Sequence, residues 1–274
     1  MKLHIRHVTH YKFDTPVKRL IQSHRLTPAD HEGQKVLEWS VSCEGAIRGS
    51  SFLSGAGDYT ETVCVQGPAE DIEIIVEGTV ETQDCAGVLR GHREKVLPSA
   101  YLRPTQQTQP DAVIRSLAET AVEGLDVSAG LDRAHALAAA VNDAIAYVSG
   151  ETEPATTAAE ALAGGKGVCQ DHTHVLMSAA RWVDMPARYV TGYLYSDANG
   201  QAHGESHAWA ELYVDGLGWV GFDAANRCCP NDLYVRLGSG LDAQDAAPIR
   251  GLIEGQATED LTAKVIVTDV AQQQ

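Results

Sequence analysis

The sequence predicts an α+β protein, with an antiparallel β domain first and a second unit in which helices precede strands. Three observations carry this. From the N-terminus to about residue 84, apolar residues alternate and no helical period of any length occurs. After a proline-punctuated connector the spacing becomes helical. Antiparallel strand patterns then follow the helices instead of interleaving with them, which separates α+β from a parallel α/β sheet. The expected division is an N-terminal β-rich domain over 1–98 and a second unit over 99–274 that ends in one further strand.

Each element has its own signal. The chain opens with "LHIRHV". Leu37, Trp39, Val41 and Cys43 alternate, as do Ile72, Ile74 and Val76, and turn formers such as "GSSFLSGAGD" separate the runs. His4, His7 and His10 do not share one face and read as surface or edge residues. Pro98, Pro104, Pro110 and the polar "TQQTQP" mark the connector over 85–110. "DAVIRSLAETAVEG" and "LDRAHALAAAVNDAIAYVSG" are helical, the second ending near Gly150. Thr157 and Glu160 have capping-box spacing and open a short helix that Gly164–Gly165 ends. Val175, Leu176, Ala179 and Ala180 lie on one face of a helix that begins at Cys169 and stops before Pro186. "ARYVTGYLY", "SHAWAELYV" and "GWVGFD" follow as strands, and "LTAKVIV" is the strand of the tail. There is no internal repeat and no low-complexity tract.

Composition excludes several classes. The 274 residues are 44% hydrophobic, enough for a folded core. A formal net charge of −16 argues against nucleic acid as a partner, since phosphate binding needs clustered Lys and Arg. No apolar run reaches the roughly 18 residues of a membrane span. The opening "MKLHIRHVTHYKFD" lacks the apolar core of a signal peptide, so the expected location is cytoplasmic. Cys43, Cys64, Cys85, Cys169, Cys228 and Cys229 do not read as a disulfide scaffold. Without a C-x-x-C pair, a structural zinc site is not expected.

The chemistry is in two stretches. In "GGKGVCQDHTH", Cys169 follows a glycine-rich loop and starts a helix. A free thiol, with a pKa of about 8.5, is mostly protonated at neutral pH. The partial positive charge and unpaired N–H groups of a helix start favour the thiolate. The Cys169 N–H is also placed to serve an oxyanion hole. A lone cysteine is more often a buried core residue, so the second stretch decides. In "ESHAWAELYVDGLGWVGFDAAN", His207, Trp209, Glu211 and Tyr213 share one strand face, Asp215–Gly216 turns, and Trp219, Gly221 and Asp223 share a face on return. A four-residue loop over 215–218 would set Asp223 opposite Ala210, on the wrong face. A three-residue loop, or one bulge, sets it opposite Trp209, with His207 as diagonal neighbour about 7–8 Å away along the backbone. The shifted register is the expectation. His207 is then the candidate base, Asp223 the group that orients it, and Trp209 a shield for their bond.

Neighbouring residues are weighed against the same chemistry. Gln170 and Asp171 are expected to satisfy helix N–H groups, and the Asp171 charge partly opposes ionisation of the thiol. His172 and His174 diverge by about 200° on a helix and are not expected to share a metal ion. Cys228–Cys229 reads as two reduced thiols.

"GGKGVCQD", the helix after it and "SHAWAELYVDGLGWVGFDAAN" resemble the bacterial transglutaminase-like cysteine protease family, within the papain-like fold, over roughly residues 110–235. "HIRHVTHYKFDTPV" resembles the β-rich domain that precedes that core in bacterial members. G-x-C, H-A-W and G-W-x-x-x-D occur in family order. The resemblance implies a Cys-bearing helix packed on an antiparallel sheet, with Cys169 as nucleophile, His207 as base and Asp223 as orienting acid. It implies a thioester intermediate on a peptide or protein substrate, resolved by water. Alternatives are resolution by an amine, as in a transglutaminase, or a non-catalytic binding or scaffold module that keeps the fold. Ala224-Ala225-Asn226 stands where the family has Pro-Thr-Asn. Tyr147, expected on the preceding helix, is the candidate oxyanion-hole donor, and Trp209 and Trp219 are supporting residues. No cofactor or metal is expected, since no D-x-[DN]-x-[DN]-G loop occurs. The N-terminal domain is expected to shape the cleft or to mediate self-association as a homo-oligomer.

Overall fold

Two long strands, β1 (Lys2–His24) and β4 (Tyr59–Thr82), form the spine of the first sheet in the computed structural model, which describes residues 1–196 and 204–273. They pair antiparallel from Lys2↔Glu81 to His24↔Glu61, with register shifts between Lys12 and Arg19. Leu3, Ile5, Tyr11 and Phe13 point to the buried face at the period of 2 that the sequence shows. Toward the N-terminal end of β1, the sheet is widened by β2 (Gln34–Cys43) on β4. At the other end β3 (Ala46–Leu53) pairs with β4. The glycine- and serine-rich "GSSFL", expected as a turn, is thus strand. Its row is almost wholly exposed, so no buried alternation marks it. His7 also departs from expectation. It is buried, with Nδ1 3.0 Å from the Tyr193 hydroxyl and Nε2 3.0 Å from Thr9 Oγ1.

The second unit begins after a 3-10 turn at Pro98–Leu102. Helix α1 (Ala112–Ala121) is capped by Asp111, whose Oδ1 accepts from the Ile114 N–H at 2.8 Å. Helix α2 (Gly130–Ala144) ends earlier than its sequence pattern suggests, because Ile145 is already extended. Ala146–Tyr147 then form β5. Helix α3 (Ala158–Gly164) starts with the expected Thr157/Glu160 capping box. Lys166–Gly167, the short β6, pairs parallel with β5. Helix α4 (Cys169–Trp182) is buried from Asp171 to Arg181. It packs against the other three helices on one side. On the other lies a sheet of β7 (Ala187–Leu194), β8 (His207–Val214), β9 (Gly218–Phe222) and β10 (Tyr234–Gly240), in the order β10-β7-β8-β9. A buried arginine in such a helix is tolerable only when every face finds acceptors. Arg181 donates to the carbonyls of Tyr101, Ala187 and Leu241 and to Thr108 Oγ1.

The chain then returns. β11 (Ile249–Glu254) and β12 (Glu259–Asp269) leave the second unit and pair with opposite ends of β1. The tail strand expected to close the core therefore completes the N-terminal sheet, and the first domain is built from both ends of the chain. The two units meet over a buried ion cluster. Glu211 of β8 accepts from Arg188 Nε at 2.6 Å and Arg236 Nε at 2.9 Å, and Arg236 reaches Asp58 of the first unit at 3.2 Å. Tyr193, Val235 and Leu237 of the core sit in the apolar layer of the first sheet.

Candidate active site

The loop before Cys169 is fixed by a carboxylate. Asp171 Oδ2 accepts from the Val168 N–H at 2.8 Å and from Thr152 Oγ1 at 2.7 Å. This closes the first turn of α4 on itself and ties it to the preceding loop. Gly167 is needed for that closure, because a Cβ there would lie 2.6 Å from both Cβ and Oδ2 of Asp171. Gln170 does not cap the helix; its Nε2 donates to the Pro154 carbonyl at 3.1 Å. The thiol-bearing Cys169 is left half-buried at the first position of α4.

His207 begins β8, and the hairpin places it. Ala210 pairs with Phe222 and Val214 with Gly218, so the loop is the three residues 215–217. Continued one step outward, this register sets Asp223 opposite Trp209, as the shifted pairing requires. His207 Nε2 donates to Asp223 Oδ2 at 2.6 Å, and both side chains are buried, at 5% and 1% exposure. Nε2 faces Asp223, and the Cys169 side chain is near enough to act on the same ring. Burial alone would lower the pKa of the imidazole. The hydrogen bonds and charges of Asp223 and Cys169 outweigh it and push His207 up to about 10. Burial likewise works against the Asp223 carboxylate, but its bonds to His207, Asn226 and Tyr234 hold it below the usual range.

Asp223 has more partners than the sequence indicates. Oδ2 also accepts from Asn226 Nδ2 at 2.8 Å and from the Tyr234 hydroxyl at 2.9 Å, and Oδ1 accepts from the Asn226 N–H at 3.1 Å. Asn226 is the last residue of the Ala-Ala-Asn turn that the sequence marks. Tyr234 is not so marked, because it opens a strand that pairs with β7 and not with the hairpin. The glycine-rich "YVRLGSG" of that strand carries no alternation to announce it.

The aromatic residues divide. Trp209 lies along His207, with ring centroids 6.4 Å apart, and meets Tyr234 edge-on at 5.5 Å. Gly192 of β7 allows this, since a Cβ there would fall 2.6 Å from the Trp209 ring. Trp219, expected beside the site, instead serves the ion cluster. Its Nε1 donates to Glu94 Oε1 at 2.5 Å, and the Arg188 guanidinium lies 4.1 Å from its ring. Tyr147 is exposed and belongs to β5, not to a helix; there it is paired with Gly167, two residues before the thiol.

The remaining candidates separate. His172 sits between the carbonyls of Val168 and Ile145, at 2.9 and 3.0 Å. His174 Nε2 accepts from the Ala243 N–H, and burial pushes that ring down to about 4. Among the described residues, no group of three or more His, Cys, Asp or Glu side chains is placed to hold a metal. Also among them, no helix is long and apolar enough to cross a membrane. Cys228 and Cys229 are free thiols; burial raises both, Cys229 to about 11.

Residues 115–224, which contain Cys169, His207 and Asp223, match the core of the transglutaminase-like superfamily. Residues 3–81 match the bacterial transglutaminase-like N-terminal region. The chain carries a transglutaminase-like core preceded by a bacterial transglutaminase-like N-terminal region. Among the relatives of this chain, an uncharacterized protein of Mycobacterium leprae is 26% identical over 98% of this chain and 99% of its own. An uncharacterized Mycobacterium tuberculosis protein is 32% identical over 43% of this chain and 40% of its own. The crystal structure described as "a Putative Cysteine Protease from Cytophaga hutchinsonii" superposes with a TM-score of 0.73 at 22% identity. The match covers 98% of this chain and 91% of that one. The shared transglutaminase-like fold is a cysteine-type catalytic fold.

Proposed function

We propose that this transglutaminase-like protein is a cysteine-dependent hydrolase of peptide, amide or isopeptide bonds. The observation that supports the reading is the buried His207–Asp223 pair, with Cys169 at the start of α4 acting on the same imidazole. His207 takes the proton of the Cys169 thiol, and the sulfur attacks the substrate carbonyl carbon. The oxyanion that forms is met by the Cys169 N–H at the start of α4, with the Tyr147 hydroxyl as second candidate donor. As the C–N bond breaks, His207 gives its proton to the leaving amine, and a thioester remains on Sγ. Water then attacks the thioester. His207 takes one proton from it, and the acid is released as the thiol reforms. Asp223 holds the ring in one orientation and offsets its charge throughout. The substrate is a peptide or protein.

Iodoacetamide tests the first requirement. Cys169 should be alkylated in preference to the other five cysteines near pH 7, and His207→Ala should abolish that preference. Equal, sluggish labelling of all six thiols would sink the assignment. A peptide library with and without a labelled primary amine then reads the second step. Free acid as product supports hydrolysis, whereas amine incorporation in its place moves the protein to amine transfer.

A further inference from the structure

We propose that Tyr234 is a positioning residue for this site, its hydroxyl fixing Asp223 Oδ2 in line with His207 Nε2. The inference rests on the hydrolase reading for its consequence in turnover, but the geometry stands apart from it. Tyr234 opens β10, two strands away from β8 in the sheet, yet its hydroxyl donates to Asp223 Oδ2 at 2.9 Å. Its ring lies 5.9 Å from His207 and edge-on to Trp209.

The direction of each hydrogen bond follows from the chemistry. An ionised carboxylate only accepts, so the tyrosine must donate to it. Its oxygen is then free to accept, and Cys228 Sγ stands 3.3 Å away. Burial raises the Cys228 thiol, so it is the donor to that oxygen. The order is therefore Cys228 S–H to Tyr234 O–H to Asp223 Oδ2. The backbone locks the same corner, since the Asp223 N–H donates to the Cys228 carbonyl at 2.8 Å and the Cys228 N–H returns to Asp223 at 3.2 Å.

Asn226 alone would leave the carboxylate partly held. Its two bonds, to Oδ1 and Oδ2, come from a turn three residues away and move with Asp223. Tyr234 is the tether from a separate strand. It also helps keep the carboxylate ionised in a site where burial favours the neutral acid.

Tyr234→Phe removes the hydroxyl and keeps the ring. The acid limb of Cys169 alkylation, and of kcat/KM once a substrate is in hand, should move up by about one pH unit. At pH values well below that limb kcat should fall roughly tenfold while KM changes less than about twofold. The low-field Nε2 proton of His207, followed by NMR, should broaden in the variant as exchange with water quickens. A folded Tyr234→Phe protein with an unmoved acid limb and an unchanged ring proton overturns the proposal. Loss of folding also overturns it, by making the hydroxyl structural. Should Cys169 show no preferential alkylation in the wild type, the hydrolase reading falls, and the His207 ring proton still decides for or against Tyr234.

Discussion

His207 Nε2 and Asp223 Oδ2 stand 2.6 Å apart, inside a site where the carboxylate is all but sealed from solvent. They come from adjacent strands, and a loop one residue longer would separate them. Burial drives His207 toward its neutral form, so the charged ring depends on its partners. Removing Asp223 exposes that dependence. Asp223→Ala should lower the pKa of His207 and cut kcat/KM by about 10²–10⁴. An NMR titration of the ring and steady-state kinetics check the two effects. A variant that keeps both values would show that the carboxylate does not act on the imidazole.

The same pair makes stability depend on pH. The folded His207 pKa, about 10, lies above its ordinary value of 6.5. The unfolded chain therefore releases this proton first as pH rises. The contribution of His207 is complete below pH 6.5, declines above it and is gone once the pH passes about 10. Urea denaturation of the wild type and His207→Ala at pH 6, 8 and 10 should show the gap between them narrowing. A constant gap would mean that the ring is not held as an imidazolium.

Glu211 makes the opposite case. Burial would raise its pKa, but Arg236 and Arg188 hold it down to about 2. Its stabilising contribution is present above its ordinary value of 4.5 and is lost as the pH falls toward 2. The cluster joins the two units through Asp58 and Arg236, and Arg188 is wholly buried. Glu211→Gln leaves two guanidiniums short of charge in a dry interior. It should destabilise the protein by about 3–5 kcal/mol. A loss of less than about 1 kcal/mol in denaturant titration would show that water or relaxed neighbours replace the carboxylate.

The sequence carries the site better than it carries the fold around it. Cys169, His207 and Asp223 are legible because each needs a local device: a glycine loop before a helix, a strand face, and a hairpin whose loop length sets the register. Tyr234 is illegible because it reaches Asp223 across strands that are not sequence neighbours. Trp219 misleads for a related reason. Its place on β9 shares the face of Asp223, but only tertiary packing shows that Glu94 and Arg188 claim it. β12 has a readable strand pattern in "LTAKVIV" and β11 has none that the sequence marks, and nothing local says that the partner of either is β1 at the far end of the chain. The end of α2 is lost in a helical apolar run, since it is pairing with Lys166–Gly167, including Tyr147 with Gly167, that makes Ala146–Tyr147 extended.

That pairing leads to Gly167, where backbone, carboxylate and thiol meet. Gly167 lies on β6, next to the Val168 N–H that Asp171 caps, and two residues before Cys169. A methyl group there would meet Asp171 Cβ at 2.6 Å, inside any real contact. Gly167→Ala must either push Asp171 off the Val168 N–H or shift the first turn of α4, and both displace the sulfur from His207. Preferential alkylation of Cys169 should fall at least tenfold, with stability reduced by about 1–3 kcal/mol. Asp171→Gly removes the obstructing Cβ as well as the cap. In that background the alanine should cost less, leaving a coupling of about 0.5–3 kcal/mol between the two sites. Strictly additive losses in the double-mutant cycle would show that the carboxylate is not what reserves this position for glycine.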